Sequence, residues 1–214
     1  MLEAVLDLFK DPFPFTEVED NDYRSFKLTG MDFSVNGYEV KGIGRASVMN
    51  AKGMAGLMKM STLIINPIDV DAPLLSIDII KAMGNIILFA EMYDSCLSFS
   101  LDEEPFRKIC EKYSYLSDNE MGQHWYDEIR YDVSVAKKVP SKHAEDIETL
   151  SEEYAKAYLQ LLKGADPCDR DAKLVKARAY SHGLVEQGGA ATDSFLKSWG
   201  KEKTQDFFDK VLFG

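Results

Sequence analysis

Cysteine is scarce in this sequence. Cys96, Cys110 and Cys168 are odd in number and far apart, which excludes a disulfide framework and matches no paired zinc-ligand spacing. Free buried thiols in a reducing compartment, the cytoplasm by default, are expected. No apolar run approaches the roughly 20 residues that span a bilayer, so a membrane protein is not expected. The opening MLEAVLDLFKDPF carries acids within its apolar stretch and lacks a basic leader and a small-residue cleavage site, so it does not read as a signal peptide. There is no phosphate-cradling glycine loop, dinucleotide fingerprint, serine elbow or paired histidine. The histidines, His124, His143 and His182, lie far apart, and surface or hydrogen-bonded roles suit them better than metal ligation, so no metal site is expected. A basic stripe is also missing. With a net charge of −11, nucleic acid would meet general repulsion. Positive charge gathers later, at Lys137, Lys138 and Lys142 and then at Lys173, Lys176, Arg178, Lys197, Lys201 and Lys203, where it suits either a solvated helix surface or the docking of an acidic protein.

The sequence is rich in apolar strands. The 214 residues are 45% hydrophobic, enough for one core, and a single domain over 1–214 is expected. Leu57 to Ile65, Leu74 to Ile80 and Ile86 to Met92 are apolar segments of strand length separated by Pro, Asp, Gly and Asn. Lys81-Ala82-Met83-Gly84-Asn85 reads as a hairpin joint, with Gly84 free to take positive φ. Upstream, Tyr23 to Thr29 alternates as a strand. Asn36-Gly37, between Phe33-Ser34-Val35 and Tyr38-Glu39-Val40, predicts a type I′ turn. Gly42 to Asn50 reads as extended, followed by a turn at Ala51-Lys52-Gly53. Short joints between consecutive strands imply an antiparallel meander.

Helical spacing frames this sheet. Leu2, Val5, Leu6 and Phe9 predict a helix that ends before Pro12. Phe106, Ile109, Cys110 and Tyr113 predict another, and Ile147 to Leu162 a long third, closed by Gly164. A helix from about Asp169 to Glu186 follows, and then two short ones, Thr192 to Trp199 and Lys201 to Phe213, divided by Gly200. Strands first and helices last argue for an α+β fold, a three-layer α-β-α sandwich around a central antiparallel sheet, with the sheet mainly in 23–100 and the helical layers in 1–10 and 101–214.

Two blocks resemble the ferredoxin-dependent bilin reductases, which reduce linear tetrapyrroles made by haem cleavage. One is Asn66-Pro67-Ile68-Asp69-Val70-Asp71-Ala72-Pro73-Leu74-Leu75-Ser76-Ile77-Asp78-Ile79-Ile80, similar to the family's Asp-x-Pro, two bulky apolars, two small residues, Asp and two apolars. The other runs from Phe195 through Trp199-Gly200 to Leu212-Phe213, similar to the family's helix, aromatic-glycine stop and final helix. The resemblance spans about 23–213. It implies the α-β-α sandwich, with a pocket between the sheet and the C-terminal helices for biliverdin or another flat, acidic bilin. It also implies electrons delivered singly by reduced ferredoxin or flavodoxin, no bound cofactor or metal, and acidic or histidine side chains that protonate the bilin. Met58, Met60, Thr62, Ile77, Ile79, Ile87 and Phe89 are then candidate walls, with packing under helices as their other reading. Arg45, matching an arginine common in the family, would hold a carboxylate, with an exposed salt bridge as its alternative.

The chain departs from the family at its acids. Leu57 to Ile65 carries no carboxylate, and Met60 falls near the position where members commonly have Asp. Ala46-Ser47-Val48 stands where some have histidine, and Gly188-Gly189 where members have an Asn-Asp or Asp-Pro pair. The substitutes, in order of preference, are Asp193, His182 and Asp78. The expected function is a divergent cytoplasmic bilin reductase, with a non-catalytic tetrapyrrole or small-acid binder on the same fold as the alternative, and an enzyme unrelated to bilins as a third reading. Neither nucleic acid nor a membrane is expected as a partner.

Overall fold

The computed structural model of the chain describes residues 1–19, 22–120, 122–189 and 192–214. Eight strands form one antiparallel sheet: β1 (Phe15–Glu17), β2 (Ser25–Leu28), β3 (Met31–Val40), β4 (Gly44–Gly53), β5 (Met58–Pro67), β6 (Leu74–Ala82), β7 (Asn85–Tyr93) and β8 (Val135–Pro140). They are ordered β1-β3-β4-β5-β6-β7-β8, with β2 paired to β3 beside β1. The three apolar segments become β5, β6 and β7, joined as the meander that their short connections require.

Helices cover both faces. On one, α1 (Glu3–Lys10), α2 (Glu104–Lys112) and α3 (Ala144–Gly164) bury Phe9, Phe106, Leu150, Tyr154 and Tyr158 against Leu63, Ile65, Ile77, Ile79 and Leu88. On the other, α4 (Arg170–Gln187), α5 (Thr192–Phe207) and a π-helical turn (Phe208–Leu212) bury Tyr180, Leu184, Phe195, Phe207 and Phe208 against Phe33, Val35, Met49 and Ile64. The three-layer sandwich is therefore present. Among the described residues no helix is long and apolar enough to cross a membrane.

The Asp71-Ala72-Pro73 segment ties later parts of the chain to the sheet. Asp71 accepts backbone N–H groups from Leu97, Ser98 and Phe99 at 2.8 to 2.9 Å. Burial works to raise its pKa, but these three donors and the Lys173 ammonium hold it below the ordinary carboxylate value. Fully buried Lys173 donates to the Ala72 carbonyl at 2.6 Å, and Tyr158 to the Pro73 carbonyl at 2.6 Å. The Asp-x-Pro pattern thus docks α3, α4 and the segment after β7 on one turn.

The structure corrects several expectations. Asn36-Gly37 lies inside β3, not in a turn; a Cβ on Gly37 would meet the Val211 carbonyl at 3.4 Å, so this glycine admits the C-terminal segment against the strand. The turn lies one strand-end earlier, at Thr29-Gly30, where both residues have positive φ. β4 runs through Ala51-Lys52-Gly53, and the chain reverses at Met54 to Leu57. β1 and β8 extend the sheet outside 23–100. α5 is two helical stretches that meet at a kink where Gly200 has φ 75°, at the predicted division.

Candidate functional site

Strand alternation and register decide which side chains share a face. Thr62 stands opposite Asp78, Asp78 opposite Phe89, Met60 opposite Ile80 and Ile80 opposite Ile87. These residues, together with Met58, lie on the face that carries α4 and α5. Their layer is incomplete. It seals Ile64, Leu74 and Tyr93, but leaves Met58, Met60, Ile80, Ile87 and Phe89 half-buried around Asp78. This half-buried apolar face of β5 to β7, the bay, has the Asp78 carboxyl at its centre.

Asp78 is held by its neighbours. The Thr62 hydroxyl donates to one carboxylate oxygen, and the Ser76 hydroxyl to the other at 3.0 Å. Burial drives its pKa up to about 6; those two donors oppose the shift and the charge of Glu91 adds to it. Glu91 accepts from the Tyr93 hydroxyl at 2.8 Å and from Arg130 at 3.1 Å. Tyr93 stacks on Tyr180 of α4 at 4.3 Å between centroids, and Tyr126 meets both rings edge-on. Burial is the main cause that raises the Tyr126 and Tyr180 pKa values, and the negative charge of Asp78 adds to it at both. A carboxyl that titrates near neutrality in apolar surroundings is suited to donating a proton to a neighbouring basic centre.

Two clefts flank this face. One, of about 370 Å³, lies between His124 and Trp125 on one side and Gly188, Gly189 and Asp193 on the other. The second, of about 450 Å³, is lined by Glu91, Asp127, Arg130 and Asp132 among others. Neither is lined by Asp78 or by the half-buried residues around it. Among the described residues no group of His, Cys, Asp and Glu is arranged to hold a metal ion.

The predicted site residues divide cleanly. Met58, Met60, Thr62, Asp78, Ile87 and Phe89 share the bay. Ile77 and Ile79 do not: they project to the opposite face, 0% and 1% exposed, beneath α1 and α3. His182 is exposed on the outer side of α4 and bonds Asp209 at 3.2 Å. Asp193 is exposed and belongs to the cleft beside Gly188. Arg45 shares the sheet face but sits about 13 Å along the strands from Asp78, four residues away at 3.3 Å each. Its guanidinium is taken by Glu39 at 2.9 Å and the Lys210 carbonyl at 3.1 Å, which fastens the C-terminal turn to β4. The residues that sequence reasoning missed are Ser76, Glu91, Tyr126 and Tyr180. Ser76 and Glu91 carried a signal, as lone polar side chains whose spacing in otherwise apolar strands matches that of Asp78 and Phe89.

The architecture has a solved counterpart. A tomato phytochromobilin synthase, crystallised in complex with biliverdin, matches 99% of this chain and 81% of its own length with a TM-score of 0.79 at 12% identity. This is the bilin reductase fold. No protein-family model and no curated protein sequence matches the chain, so the likeness is one of three-dimensional structure.

Proposed function

We propose that this chain is a bilin-reductase-like protein that seats a linear tetrapyrrole in the bay, over Met58, Met60, Thr62, Ile87 and Phe89, with Asp78 as proton donor. The observation that carries this reading is the Asp78 carboxyl, raised to about 6 at the centre of a half-buried apolar face. The fold it shares with a biliverdin-bound enzyme supplies the ligand class. The methionines suit a bent conjugated guest because their side chains are flexible and polarizable.

Two electrons arrive singly from reduced ferredoxin or flavodoxin, and two protons balance them. Each added electron makes the conjugated system more basic. Asp78 hands over the first proton as the carboxylic acid; the resulting carboxylate, stabilised by the Thr62 and Ser76 hydroxyls, is reprotonated from water and delivers the second. The protein holds no cofactor of its own in this scheme. Met60, near the strand position where family members commonly have their acid, lies two residue pairs along β5 and β6 from the Thr62–Asp78 pair, so Asp78 offers an acid in the same part of the sheet from the neighbouring strand.

The test is anaerobic mixing of the biliverdin complex with reduced ferredoxin. Loss of the long-wavelength band with growth of a new product band is expected, and Asp78→Asn is expected to retain binding while slowing turnover by about 10² to 10⁴-fold. An Asp78→Asn rate equal to that of the parent protein removes Asp78 from the mechanism. A bound spectrum that stays stable in ferredoxin favours the second reading, a tetrapyrrole-binding protein without reduction, to which the displacement of His182 and Asp193 from the bay also points.

A further inference from the structure

The sheet end that carries the turns β4–β5 and β6–β7 is built unlike the rest of this acidic molecule. Lys52, Lys59 and Lys81 stand directly opposite one another on three consecutive strands. Like charges in such register destabilise a sheet. Lys81 has an acid, Glu148 at 3.4 Å, and Asp32 of β3 stands opposite Lys52 but pairs with Lys27 at 3.0 Å; among the described residues no ion pair joins Lys52 or Lys59. Exposed Lys142 follows β8, where the Ser141 N–H reaches the Gly84 carbonyl of the β6–β7 turn at 2.8 Å. Above the lysines, the turns themselves are apolar. Met54, Leu57 and Met83 are 51%, 70% and 78% exposed. Met54 and Met83 also adopt positive φ, 51° each, a conformation in which glycine and asparagine are favoured and a long side chain gains nothing for the turn.

We infer that this end is a peripheral docking surface for an anionic lipid bilayer, with Met54, Leu57 and Met83 entering the interface and Lys52, Lys59, Lys81 and Lys142 meeting the headgroups. Against a net charge of −11, which an anionic bilayer would repel, the lysines beneath the apolar tips give this one end the local positive charge that such a surface attracts. A protein partner fits less well: protein interfaces are enriched in aromatic residues and arginine and depleted in lysine, whereas the basic side chains named around these turns are all lysines. Lysine stems lie along apolar surface while their ammonium groups stay in water. The inference revises the expectation of no membrane partner, which rested on spanning segments. It is independent of the tetrapyrrole reading.

The experiment is co-sedimentation of the full chain with vesicles of phosphatidylcholine alone and of phosphatidylcholine mixed with phosphatidylglycerol. Sedimentation with the anionic vesicles only, reversed by high salt, is expected. The double variant Lys52→Gln, Lys59→Gln is expected to weaken it at least about tenfold, since each lysine near an anionic surface contributes about fivefold. Met83→Asn creates an Asn-Gly turn, which favours the hairpin, so loss of vesicle binding with an unchanged or raised melting temperature separates docking from folding. Absence of sedimentation with anionic vesicles overturns the inference. So does sedimentation that survives both Met83→Asn and Leu57→Ser, or tip-dependent binding to an acidic soluble protein without any vesicle binding.

Discussion

Thr62 on β5 stands directly across from Asp78 on β6, and its hydroxyl donates to the carboxylate that the apolar bay would otherwise force toward neutrality. The pair sets how pH acts on the protein. The folded-state pKa of Asp78 is raised to about 6 from 3.8, so between those values the folded chain binds the extra proton. Stability from this group is present below about pH 4 and is lost as pH rises to about 6, roughly 3 kcal/mol in all. Asp78→Asn abolishes that decline, so the variant is more stable than its parent at pH 7 and gains little at pH 4. Denaturant melts at the two pH values measure the difference.

Thr62→Val keeps the shape of the side chain and removes its donor. With one of the two hydroxyls that favour the charged form gone, the Asp78 pKa moves above its present value of about 6. A carboxyl NMR titration of both proteins reads the direction. An unchanged or lower midpoint contradicts the arrangement described here.

Gly183 lets α4 approach the segment that carries Trp125. A Cβ there would lie 2.2 Å from the indole ring, whose Nε1 is also fixed by donation to the Gly188 carbonyl at 3.0 Å. Gly183→Ala is therefore expected to lose about 1 to 3 kcal/mol to overpacking. Urea unfolding monitored by tryptophan fluorescence checks the value.

Lys173→Met removes a fully buried ammonium that donates to the carbonyls of Ala72 and Ser95 and lies 3.7 Å from Asp71. Both carbonyls lose this donor and Asp71 loses its countercharge, for an expected loss of about 3 kcal/mol. Calorimetric melting is the direct measurement.

Sequence pattern revealed the layers more readily than the faces. Pro, Gly and Asn punctuation between apolar runs located β5 to β7, and 3.6-residue spacing located α1 to α3. Facing could not be read in β6, because a central strand buried on both sides is apolar almost throughout and loses its alternation. Pairing alone shows that Ile77 and Ile79 point away from Met60 and Thr62. β8 escaped notice because Lys137, satisfied by the Leu116 carbonyl at 3.0 Å and Asp118 at 2.6 Å, interrupts its inward residues Val135 and Val139. Gly37 misled for a related reason: a glycine needed for close backbone approach looks in sequence like one needed for a turn. Asp78 was visible as a lone acid in an apolar strand, but its importance depends on Thr62, Ser76 and the gap in the helical layer, all set by tertiary structure.

The most direct measurement is the visible spectrum of biliverdin titrated with the purified protein. A red-shifted, sharpened long-wavelength band at micromolar protein is predicted, lost in Phe89→Glu on the bay and retained in Ile79→Val on the opposite face. An unaltered biliverdin spectrum with the parent protein, or an equal shift with Phe89→Glu, contradicts a tetrapyrrole seated on this face of the sheet.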